Sequence, residues 1–130
     1  MAGASESIEV VITDMQPQLF SMVTMLVNTN DAFSGVNALD LSNMEVGESI
    51  SMRTSSYDAG TEKNSESSAS IPGPASGGTG EGFNEARDDV DFVAMHPGVV
   101  STDDGLSTSV LTQAHRFDNP TLAVTITRTE

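Results

Sequence analysis

Thr121-Leu-Ala-Val-Thr-Ile-Thr-Arg128 decides the fold class: Leu122, Val124 and Ile126 fall on one side, Ala123, Thr125 and Thr127 on the other. A repeat of two is that of a β-strand, whose successive side chains point to opposite faces. The same alternation recurs upstream. Ile8, Val10 and Ile12 alternate with Glu9, Val11 and Thr13, and Ile50 and Met52 alternate with Ser49, Ser51 and Arg53. Leu19-Phe-Ser-Met-Val-Thr-Met-Leu-Val27 is apolar on both faces, which predicts a central strand. Residues 90–95 read as a further short strand. Ser and Thr make up 30 of the 130 residues, and the Thr share favours strands over helices. The expected fold is therefore all-β, an antiparallel β-sandwich.

Helix signals are few. Ser42-Asn-Met-Glu45 has capping-box spacing, but Gly47 follows too closely for a helix to develop. Residues 32–41 read as a loop leading into a short strand or a single turn. In residues 64–82, 12 of 19 positions are Gly, Ser or Pro, which predicts a long surface loop because so little apolar area offsets its ordering entropy. The residues after this loop are too few to build a core alone, so residues 8–130 are expected to form one domain behind a polar tail at 1–7.

Composition removes several function classes. Five Lys and Arg against 19 Asp and Glu leave a formal charge of −14, which disfavours nucleic acid and anionic membranes. The absence of Cys excludes a disulfide scaffold, a Cys-based zinc site and thiol catalysis. No stretch is apolar enough for a transmembrane segment. No signal peptide is visible, while the single lysine, Lys63, fits the surface of a secreted, periplasmic or cell-surface protein. Neither His96, before the turn dipeptide Pro97-Gly98, nor His115 has a local catalytic partner, and no Ser lies in a nucleophile elbow. The expectation is that the chain is not an enzyme.

The carboxylates are more informative. Asn28-Thr-Asn-Asp31 and Tyr57-Asp-Ala-Gly-Thr-Glu62 each follow a strand pattern, so both belong to loops at a sheet end. Asp58 and Glu62 lie four apart, and Gly60 lets the backbone curl so that both face one point. Calcium takes about 6–8 hard oxygen ligands. Asp31, Asp58 and Glu62 are the candidate metal ligands, with Asn30 and Thr61 as additional oxygen donors; the other reading is that all five are ordinary turn residues. Asp88, Asp89 and Asp91, and separately Asp103 and Asp104, are acidic clusters that read as solvated loops or as a second metal site.

Met25-Leu-Val-Asn-Thr-Asn-Asp-Ala-Phe-Ser-Gly-Val-Asn-Ala-Leu39 resembles the spondin domain signature, and Tyr57-Asp-Ala-Gly-Thr-Glu62 resembles that family's Tyr-Asp-Ala-Gly-Thr-Asp/Glu motif. Ile71-Pro-Gly-Pro74, Gly80-Glu-Gly-Phe83, Asn119-Pro120 and the final strand extend the resemblance over residues 8–128. It implies a C2-like β-sandwich with a calcium site held by Asp31, Asp58 and Glu62, and a non-catalytic role in surface recognition or adhesion toward an extracellular protein or carbohydrate. Glu62 stands where animal members, of the F-spondin and mindin type, have Asp. Phe117-Asp-Asn-Pro120 stands in place of their Trp-Arg-Asn-Pro.

Family members carry a further strand before the segment matching Ile8. The expectations are a smaller variant of the fold, an edge covered by the 64–82 loop, or a strand given by another subunit. The last is the alternative function: a structural subunit forming an oligomer or fibre by β-strand addition, with the metal incidental.

Overall fold

The computed structural model describes residues 3–13, 18–77 and 91–130. Its regular elements are strands β1 (Leu19–Met25), β2 (Ala32–Asp40), β3 (Ser49–Thr54), β4 (Ser56–Asp58), β5 (Ala94–Met95) and β6 (Leu122–Thr127), with three short 3-10 turns. The described residues contain no α-helix, and the fold is all-β with antiparallel sheets.

The first sheet has the order β1-β2-β4-β5, the second pairs β3 with β6. β6 behaves as its alternation dictates. Ile126 pairs with Ile50 and Val124 with Met52 on the half-buried face, while Ser49–Thr127 and Ser51–Thr125 pair outward. Those outer pairs bond through their hydroxyls at 2.8 and 2.9 Å. The chain crosses from the second sheet to the first through Ser55 alone, between β3 and β4. Small hydroxyl side chains line this corner. Ser34 Oγ lies 2.7 Å from Thr54 Oγ1, Ser56 Oγ lies 2.5 Å from Thr121 Oγ1, and Asn119 Oδ1 accepts from the Ser56 N–H at 2.8 Å.

Four expectations need correcting. Residues 8–12 form no strand, and Ile8 is 83% exposed. Without a neighbour to pair with, alternation alone does not order a strand. The Leu19–Met25 strand is at an edge and not central: Leu19, Val23 and Met25 face outward, whereas Phe20, Met22 and Thr24 are half-buried. Residues 32–40 form the nine-residue strand β2, pairing with both β1 and β4. Gly35 and Asn37 hide it in the sequence, because both weaken strand propensity. Gly35 is nevertheless required there: a Cβ would lie 2.1 Å from the Met22 carbonyl oxygen, beside the register shift between Phe20 and Met22.

The fourth concerns the core. Of the loop expected at 64–82, residues 78–82 lie outside the described residues and 64–77 form no strand and only the short 3-10 turn Pro74–Ser76, yet Ile71 within them is fully buried. It clusters with Val99 and Leu111, against which Ala75, Val110 and Phe117 pack. None of these six residues belongs to a strand. The main apolar cluster therefore lies among the connecting segments. The strand corner is filled by hydroxyls instead of branched alkyl groups.

Candidate functional site

Asp31 immediately precedes β2, and Asp58 ends β4. Antiparallel pairing of Ala32 with Asp58 brings both to one end of the first sheet. The chain then turns through Gly60, whose φ of 69° lies in the left-handed region that glycine enters at no steric cost. The Gly60 N–H donates to Asp58 Oδ1 at 2.7 Å, the side-chain-to-backbone pattern of an Asx turn. Asn64 Nδ2 donates to Asp58 Oδ2 at 2.5 Å.

Asp31 grips the same turn from the other side. Its Oδ2 accepts from Thr61 N (2.8 Å), Thr61 Oγ1 (2.7 Å) and Glu62 N (3.0 Å). Its Oδ1 is buried and accepts no hydrogen bond. Asp58 is 6% exposed, and no Lys or Arg of the described residues pairs with either carboxylate. Asp31 and Asp58 thus hold the same turn, one at Thr61 and Glu62 and the other at Gly60. Burying a carboxylate oxygen with no donor or counter-charge is costly, and Asp31 Oδ1 is such an oxygen, whereas both Asp58 oxygens accept hydrogen bonds.

Of the other sequence-selected oxygens, Thr61 is exposed beside Asp31, and Asn30 turns away. Asn30 Nδ2 donates to Ser70 Oγ at 2.6 Å and its Oδ1 accepts from Glu66 N at 3.4 Å, tying the strand end to the 64–77 segment. Glu62 follows Asp31's grip through its backbone N–H and is half-buried. Among the described residues no three acidic or histidine side chains converge as a ready-made metal group.

The remaining candidates have local roles. Asp104 forms an ion pair with Arg116 and accepts from the Ser101 N–H and hydroxyl at 2.9 and 2.8 Å. The Arg116 bond, followed by those from Ser101, lowers its pKa to about 2. Asp103 and Asp91 are exposed, while Asp88 and Asp89 lie outside the described residues. His96 is buried beside Phe117 and its Nδ1 accepts from the Gly98 N–H at 3.0 Å. His115 Nδ1 accepts from the Thr112 N–H at 3.0 Å.

The chain matches no protein-family model, no curated protein and no solved structure.

Sequence reasoning missed Glu66, which is almost fully buried. Its Oε1 accepts from the Val100 N–H at 3.3 Å, and burial raises its carboxyl pKa. Its carbonyl accepts from Val110 N at 2.9 Å. Nothing in the Ser-rich run around Glu66 signals this, because its partners lie more than thirty residues along the chain. Gly73 was also illegible: a Cβ there would lie 2.2 Å from Asn28 Oδ1, which accepts from Ala75 N at 3.1 Å. That close approach seats the 73–75 turn against the end of β1.

Proposed function

We propose that this chain is a non-enzymatic, calcium-binding β-domain of spondin type, extracellular, and used in surface recognition or adhesion. The observation that carries the reading is Asp31: one carboxylate oxygen engaged by the Thr61 and Glu62 N–H groups and the Thr61 hydroxyl, the other buried with no donor, at the same sheet end as buried Asp58, with which no described Lys or Arg pairs. The motif resemblance at Asp31 and at residues 57–62 supports the same assignment. Asp31, Asp58 and Glu62 would hold the ion, with Thr61, backbone carbonyls and water completing the oxygen set that calcium needs. Bound calcium would neutralise part of a surface carrying 19 acids and fix the loop end as a rigid contact face.

Thermal unfolding with excess EDTA and with calcium tests this. At about 100 times its dissociation constant, calcium adds about 2.7 kcal/mol of stability, which raises the midpoint by several degrees. Asp31→Asn keeps the shape of the side chain and should remove the calcium-dependent rise, as should Asp58→Ala. Asp103→Ala should leave it intact. A wild-type midpoint indifferent to calcium sinks the reading.

A further inference from the structure

Among the described residues β1 occupies the edge of the first sheet, so one row of its N–H and C=O groups has no described strand beside it. Such edges are ordinarily blunted by lysine, proline or inward-pointing charge. β1 carries none of these: Leu19-Phe-Ser-Met-Val-Thr-Met25 is uncharged in a chain of net charge −14. The same chain holds an unpaired strand sequence. Residues 8–12 alternate as a strand should, carry only Glu9 as a charge, and share no backbone hydrogen bond with another described residue. Ile8, Val10, Val11 and Ile12 are all exposed, as are Leu19, Val23 and Met25 on β1.

These two features adjoin. Ile8, Val10 and Ile12 form one wall of an open, mostly apolar groove of about 520 Å³, and Leu19, Met22 and Val23 form part of the other. We infer that residues 8–12 of one copy add as a strand to the β1 edge of a second copy, reciprocally, giving a symmetric dimer. Two copies of net charge −14 repel over most of their surface, and these stretches, whose one charge is Glu9, are where a second copy meets the least repulsion. Area is sufficient as well. Ile8, Val10, Ile12, Leu19, Val23 and Met25, taken on two copies, offer roughly the 1,200 Å² at which specific interfaces begin. The backbone of residues 8–12 gains the pairing it lacks, and each β1 loses its open edge.

Sedimentation over a range of concentrations, in EDTA and in calcium, tests the dimer. A concentration-dependent dimer is expected in both conditions, so its presence or absence is read separately from calcium binding. Val10→Pro removes a donor from the added strand, and Val23→Lys places a charge on the receiving edge. Each should weaken dimerisation at least tenfold while leaving the thermal midpoint of the monomer unchanged, since both side chains are exposed. A strict monomer at every concentration overturns the inference. So does a dimer that survives Val10→Pro, which would place the contact elsewhere.

Discussion

Glu66 and Asp104 are acids with opposite consequences for stability. Asp104 is exposed enough to be solvated, but Arg116 and Ser101 favour its charged form and lower its pKa to about 2. Its contribution is present above the ordinary carboxylate range and is lost as pH falls from about 4 toward 2. Burial raises the pKa of Glu66, so the folded state prefers its neutral form. Stability therefore falls as pH rises from about 4.5 toward the raised value, and levels off above it. Glu66→Gln should raise the thermal midpoint at pH 7 and flatten this upper limb. Asp104→Asn should flatten the acid limb instead. Midpoints measured from pH 2 to 8 for both variants check the two signs. The turn at 58–62 was legible at this scale because Asp-Ala-Gly-Thr-Glu places Gly60 between two acids, whereas the bonds from Asp31 to Thr61 and Glu62 bridge about thirty residues. The burial of Glu66 was not, because no local pattern encodes contacts with Val100 and Val110.

Among the elements, β6 and β3 follow their alternation, while β1 and β2 show its limits. An uncharged, bifacially apolar run normally means a strand covered on both sides. Here the outward face of β1 stays open, and its edge has no partner. β2 pairs across its length in spite of weak local propensity, because β1 and β4 supply partners on both sides. Its close contact with β1 depends on Gly35. A Cβ at that position would overlap the Met22 carbonyl oxygen at 2.1 Å, and backbone cannot swing away as a flexible side chain can. Gly35→Ala should cost about 1–3 kcal/mol, the range for forced overpacking, measurable as a lower urea midpoint with an unchanged slope.

For the molecule as a whole, stability rests on few large side chains. Leu111 is completely buried in the Ile71–Val99 cluster and joins three connecting segments of the C-terminal half of the chain. Leu111→Ala should cost about 2–5 kcal/mol, a large fraction of the total for a domain of this size. Chemical denaturation reads this directly; a loss below about 1 kcal/mol would mean that the cluster contributes little. The proposed calcium and the proposed strand exchange at β1 would each add to this modest core, one by ligation and the other by closing an edge.

The sequence by itself determined the all-β class, the alternating strands β3 and β6, and the loops where acids gather. These are local properties, set by a two-residue repeat and by turn chemistry at Gly60. Only the tertiary structure decided that Ile71 enters the core, that Glu66 is buried, that β1 is an edge and that residues 8–12 are left unpaired. Each of those outcomes depends on which distant segment arrives as a neighbour. Composition predicted exposure for residues 64–82 because Gly, Ser and Pro bury little area. A single isoleucine met by Val99 and Leu111 was enough to reverse that at its own position.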